Sequence, residues 1–320
     1  MRSPNWLGDA VMALPAVRNL KNLIGDSPLT VAAPEKLAVL WQKCPFVDQV
    51  IALEKPRNLA ATAGQLREGI FNSAVLLPNS LRVAAEAWRA GIPQRIGYAR
   101  SGRSLLLSNP IPTPVRNPAR LHQRFYYLDL VTALGAPGET TLPKLRKDPT
   151  VVTGSRGLVL AICPGAEYGP AKRWPVENFV EVARHFVATR SARILLLGAV
   201  VDIPVAEAFV QQMPGADTHV ENMVGRTSLA EFMSMLASAR LVLCNDSGAM
   251  HVASALGVPT LAVFGSTEPQ LTGPMGARSR VLRHHVPCSP CFLRECPLDF
   301  ACMSNVTPQM AIAAAETMLR

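Results

Sequence analysis

Short apolar runs alternate along this chain with longer segments in which apolar residues recur every three or four positions. The first pattern marks strands buried on both faces, the second amphipathic helices. Val11, Leu14, Val17 and Leu20 define one helical face and predict a helix from about Ala10 to Asn22. Strands follow at Thr30–Ala33, Val47–Leu53 and Ala74–Leu77, with helices at Glu35–Gln42, Leu59–Gly69, Leu81–Ala90 and His122–Gly135. Residues 100–120, rich in Pro, Arg and Ser, read as a loop with short extended pieces. The second half repeats the alternation. Strands are expected at Leu158–Cys163, Arg193–Leu197, Leu241–Cys244 and Thr260–Phe264. Helices are expected at Val176–Thr189, Ile203–Gln212, Thr227–Ala239, Ala249–Leu256 and Thr307–Leu319. Such alternation implies βαβ units and parallel sheets, an α/β protein. Ala136–Gly154 carries Pro137, Gly138, Pro143, Pro149 and Gly154 and reads as a linker between domains at 1–150 and 151–320.

One element is missing from the pattern. The Pro4–Gly8 turn should follow a strand, yet only Met1, Arg2 and Ser3 precede it. In a doubly wound sheet the first strand is central. The chain is therefore expected to start upstream, or to be trimmed at this end.

Composition narrows the class. The 320 residues are 49% hydrophobic and 17% charged, enough for buried cores and too apolar for disorder. No apolar run approaches the ~18 residues of a membrane span. The first residues resemble no signal peptide, so a cytoplasmic protein with seven reduced cysteines is expected. The net charge of +9 is uneven: residues 1–150 hold 19 Lys and Arg against 10 acids, residues 151–320 hold 13 against 13. Eight arginines and one acid, Glu86, lie between Arg82 and Arg124. That face suits an anionic partner, whether nucleic acid, an anionic membrane surface or a phosphorylated substrate. A solvated basic surface is the plain alternative.

The strongest candidate chemistry lies between Leu241 and Thr267. A buried strand runs into Asn245, Asp246, Ser247 and Gly248, a helix begins, and Gly257 and Pro259 end it before the next strand. Such a turn aims free N–H groups and the positive end of a helix at one point, which suits a phosphate. His251 sits one turn inside, as a ligand contact or as a packed core histidine. Lys172 and Arg173, in the Pro164–Pro175 loop after a strand, are candidate phosphate partners, anchored by Trp174. Asp9, at the start of a helix just after Gly8, is a candidate base or a plain helix cap. No G-x-G-x-x-G, P-loop or Asp-x-Asp motif is present. Lys/Arg and a helix terminus would have to balance any diphosphate. Cys288, Cys291, Cys296 and Cys302 could hold a structural metal or remain reduced; their second spacing departs from paired C-x-x-C ribbons.

Three segments carry a resemblance: Arg2–Pro15, Pro164–Glu167 with Lys172–Pro175, and Asn245–Ala253 with Phe264–Thr267. In them the chain resembles the bacterial ADP-heptose:lipopolysaccharide heptosyltransferases, most closely the heptosyltransferase II branch. The resemblance implies a GT-B fold, two Rossmann-like domains facing across a cleft, with acceptor on the first and ADP-heptose on the second. It implies inverting, metal-independent transfer to the phosphorylated inner core of a lipid A precursor at the anionic inner-membrane surface, with no nucleic acid. The catalytic base falls on Asp9, the phosphate contact on Lys172, the donor turn on Asp246, Ser247, Gly248 and His251. Thr227 falls near the adenine, and Asp202 roughly where donor hydroxyls are held. The four-cysteine segment occurs in only part of the family. A nucleotide-sugar binder without turnover, transfer to another acceptor, and a metal-dependent regulator are the competing readings.

Overall fold

The computed structural model describes residues 1–54, 58–115, 117–147, 157–213 and 215–320. The chain divides into two compact units, Met1–Arg146 and Lys147–Arg320. The sequence-based boundary at 150/151 and part of the expected linker lie outside the described residues.

In the first unit, helices α1 (Leu7–Met12) and α2 (Leu14–Ile24) precede strand β1 (Thr30–Pro34), α3 (Ala38–Gln42) and β2 (Gln49–Leu53). Then come α4 (Leu59–Glu68), β3 (Ser73–Val75), α5 (Leu81–Arg89), β4 (Gln94–Tyr98), β5 (Asn109–Ile111) and α6 (Gln123–Thr132). The single helix expected over 10–22 is split at Ala13. Pro15, in the first turn of α2, has no N–H to donate back to α1.

The missing central strand is answered by three residues. Arg2 bridges in parallel to Ala32 on β1 and to Leu76 just beyond β3. The N–H of Arg2 donates to Val75 O at 2.9 Å and that of Ser3 to Ala32 O at 2.9 Å. Met1–Ser3 thus joins the β1–β2 and β3–β4–β5 sheets into the order 3-2-1-4-5-6 of a doubly wound fold. A buried ion pair pins this segment: Arg2 Nε lies 3.3 Å from Glu86 Oε2 on α5, both side chains fully enclosed. Glu86→Ala would leave the guanidinium buried without its counter-ion. A loss of about 3–5 kcal/mol is expected, read as a lower urea midpoint, with Glu86→Gln milder.

In the second unit the strands are β6 (Val159–Cys163), β7 (Arg193–Leu196), β8 (Val220–Asn222), β9 (Leu241–Asn245), β10 (Thr260–Phe264) and β11 (Ser279–Arg283). Between and after them lie α7 (Val176–Arg190), α8 (Ile203–Gln212), α9 (Ala216–His219), α10 (Leu229–Ser238), α11 (Gly248–Ala255), α12 (Pro269–Thr272), α13 (Ala301–Ser304) and α14 (Pro308–Met318). All six strands are parallel in the order β11-β10-β9-β6-β7-β8, again the doubly wound pattern. The core is built from strand residues such as Leu160, Ile162, Ile194 and Leu243, covered by Phe179, Phe186 and Phe209. The sequence leaves the last helix free to pack back on the first domain. In the structure its inward residues, Ala311 and Ala315, lie in this second core. No described helix is long and apolar enough to cross a membrane.

Candidate functional site

In a doubly wound sheet ligands bind beyond the carboxyl ends of the strands, where the strand order reverses. In the second unit that point falls between β6 and β9. Leaving β6 is the Pro164–Pro175 loop; leaving β9 is the Asp246–Gly248 turn. Asn245, fully buried at the end of β9, ties them together. Its Oδ1 accepts from Trp174 N at 2.9 Å and its Nδ2 donates to Pro164 O at 2.6 Å. Trp174 in turn donates its indole N–H to Val306 O and meets Phe179 edge-on at 4.9 Å between ring centroids.

This scaffold brings Lys172 to the turn. Its Nζ lies 2.5 Å from Asp246 Oδ2, which also accepts from Thr267 Oγ1 at 2.6 Å. Lys172 also lies 4.7 Å above the Tyr168 ring. Ser247 is extended and its side chain does not cap α11. The first-turn N–H groups of α11, which have no intrahelical acceptor, remain free for a ligand oxygen. Cation and helix terminus therefore meet at one strand end. His251 is buried at 4% exposure on α11, forming part of the floor.

The other expected donor residues are placed differently. Thr227 is half-buried just ahead of α10. Asp202 is 6% exposed and packs beneath the loop; one oxygen accepts from Ala199 N at 3.0 Å. Any side chain at Gly165 would meet its carboxyl carbon at 2.0 Å, so this close approach requires glycine. Burial raises the Asp202 pKa, with Ala199 N–H and Arg173 opposing and Glu167 adding.

The four-cysteine segment acts as a strap. Phe292 N donates to Ser266 O at 2.8 Å, Ala171 N to Arg294 O at 3.0 Å, and Tyr168 OH to Phe292 O at 2.6 Å. It thus holds the Lys172 loop against the end of β10. Gly169 is in the positive-φ region at 154°, where a Cβ would stand 2.6 Å from Arg294 O. The cysteines are unbridged. Among the described residues no three His, Cys, Asp or Glu side chains are arranged to hold a metal ion. This geometry does not fit the metal that the spacing allowed.

In the first unit the order reverses between Met1–Ser3 and β3. The turn leaving that segment carries Asp9 in the first turn of α1. Trp41 Nε1 donates to Ser3 Oγ at 2.9 Å and anchors the start of the turn. Asp9 is half-buried, and its Oδ1 accepts from Tyr127 OH on α6 at 2.7 Å. Helix position alone favours the anion, but burial dominates and raises the Asp9 pKa, with the Tyr127 hydrogen bond opposing. Burial, and next the Asp9 charge, push the Tyr127 phenol far upward, so it stays a neutral donor.

The basic run is less open than its sequence suggests. Arg103 is fully buried and donates to Tyr98 O at 2.9 Å and to Asn79 Oδ1 at 3.3 Å. Arg95 binds the carbonyls of Ile92 and Leu106, and Arg120 pairs with Asp129. These three hold the fold together. Sequence reasoning missed Tyr127, Tyr168 and the clamp made by Asn245. Of these only Asn245 left a signal, standing inside the strand–turn–helix segment.

Known proteins give this geometry a place. The structure resembles that of Escherichia coli ADP-heptose lipopolysaccharide heptosyltransferase II, with a TM-score of 0.85 and 26% identity over 99% of this chain and 97% of that one. The fold is of the GT-B glycosyltransferase type. Residues 59–301 match the model of glycosyltransferase family 9 (heptosyltransferase), and the chain belongs to that family. Lipooligosaccharide heptosyltransferase 2 of Haemophilus influenzae is 30% identical over 88% of this chain and 86% of its own length. Lipopolysaccharide heptosyltransferase 2 of E. coli K12 is 29% identical over the same shares.

Proposed function

We propose that this heptosyltransferase moves heptose from ADP-L-glycero-D-manno-heptose to the heptosyl-Kdo-lipid A inner core during lipopolysaccharide biosynthesis, with inversion and without a metal ion. The observation that carries the donor half is the meeting of Lys172 with the uncapped start of α11 at the β6/β9 reversal. Two positive features there match the charge that develops on departing ADP. Asp246, Ser247, Gly248 and His251 surround the diphosphate; Thr227 lies toward the adenine and Asp202 supports the sugar-side loop. Residues 151–320 are the donor domain and residues 1–150 the acceptor domain. Asp9 takes the proton of the acceptor hydroxyl as its oxygen attacks the anomeric carbon. The bond from that carbon to the phosphate oxygen breaks and ADP leaves. The net charge of +9, all in residues 1–150, favours a phosphorylated acceptor and peripheral contact with the anionic cytoplasmic face of the inner membrane.

A heat-shift screen with ADP-heptose, ADP, UDP-sugars and GDP-sugars tests the donor. ADP-heptose should raise the melting temperature most, and ADP should retain much of the rise, because a ligand of the native state stabilises in proportion to its affinity. An equal rise with UDP- or GDP-sugars would overturn the donor assignment.

A further inference from the structure

Three candidates stand outside the donor turn: the cysteine strap, the exposed apolar and basic residues of α5, and the buried hydrogen bond from α6 to Asp9. The last carries an inference furthest, because it joins a buried group with no assigned role to the proposed base. It rests on the reading of Asp9 as that base.

Tyr127 lies 118 positions from Asp9 in sequence and is 5% exposed. It stands on α6, which packs on both α1 and α2. A buried tyrosine hydroxyl needs a partner, and this one donates to Asp9 Oδ1 at 2.7 Å. Gln123, one turn back on α6, gives the phenol oxygen a side-chain hydrogen bond, so the phenol is itself fixed. The ionisable groups nearby are engaged elsewhere. On α2, Arg18 pairs with Glu139 and Lys21 with Asp48. On α6, Asp129 pairs with Arg120, the Arg124 guanidinium lies 4.7 Å above Phe125, and Tyr126 takes a hydrogen bond from Asn79. Tyr127 is thus the side chain that grips the carboxylate.

We propose that Tyr127 is a positioning residue for the base: it holds Asp9 Oδ1 and leaves Oδ2 to accept the acceptor's proton. A carboxylate on a short helix can rotate about its last torsion. One buried neutral donor removes that freedom without supplying a charge that would neutralise the base. The same bond favours the ionised form, against the effect of burial.

The test is Tyr127→Phe, which keeps the ring and removes the O–H. With the ADP-induced heat shift intact, kcat should fall roughly 10-fold or more, the scale of one hydrogen bond to a charged group. KM for ADP-heptose should hold, and the acid limb of the kcat profile should move to higher pH. Gln123→Leu should move the limb the same way by less. An unchanged limb with unchanged kcat overturns the proposal. So does a fall in kcat accompanied only by a lower melting temperature, which would make Tyr127 a packing residue. Full activity in Asp9→Asn would instead defeat the base assignment, a result distinct from failure of Tyr127 alone.

Discussion

Asp9→Asn is expected to cut heptosyl transfer by about 10²–10⁴-fold, the range for removal of a positioned general base, while ADP-heptose still binds. Asparagine keeps the size of the side chain and an oxygen for Tyr127 OH but cannot take a proton. The proposed donor contacts all belong to the second unit, so the donor-induced heat shift should survive. Loss of donor binding together with turnover would reduce Asp9 to a helix-terminal structural group. Because only the ionised carboxylate accepts the proton, activity falls as pH drops through the Asp9 pKa. Burial raises that pKa, so the acid limb of kcat/KM should lie above the ordinary carboxylate range. The limb should vanish in the residual activity of Asp9→Asn.

The donor half was largely legible in the sequence because its chemistry is local. The apolar run of β9, the Asn245–Gly248 break and the Gly257/Pro259 stop all fall within one stretch, and the turn they predict is the one formed. Parallel order followed from alternation alone. Two strands escaped that reading. β4 (Gln94–Tyr98) buries only its last three residues, and Gly97 is small because the Arg103 guanidinium lies where its Cβ would be, at 2.8 Å. β11 is an edge strand carrying Arg280 and Arg283, so its apolar content is too low to mark it. The rest was illegible because it depends on long-range packing. Nothing near Asp9 predicts a phenol 118 residues later, and nothing in the Arg82–Arg124 count separates exposed guanidinium groups from those tying backbone carbonyls. The central strand shows the same limit. Three residues suffice for that slot because Glu86, on a distant helix, meets the Arg2 charge.

Lys172→Ala should be the second most damaging change, and its size follows from the contact that Lys172 makes in the free protein. The ammonium sits on Asp246 Oδ2 at 2.5 Å, with Lys172 14% and Asp246 6% exposed. Truncation removes a cation from the proposed diphosphate site. It also leaves the enclosed Asp246 carboxylate with Thr267 as its remaining side-chain partner, beside incoming phosphate oxygens. Attraction is lost and repulsion gained in one step. Transfer should fall about 10²–10³-fold with a raised KM for ADP-heptose. The pair makes the cause separable. Asp246→Asn on its own frees the ammonium but loosens its hold, and should cost less. In the double variant Lys172→Ala/Asp246→Asn the repulsive charge is gone, so donor affinity should recover part of the way toward wild type. That non-additivity is the mark of two groups sharing one site. Strictly additive losses would mean that Asp246 serves only the Lys172 loop. A Lys172→Ala enzyme within about threefold of wild-type rate, well under 1.4 kcal/mol of lost stabilisation, would place the diphosphate elsewhere than at the head of α11.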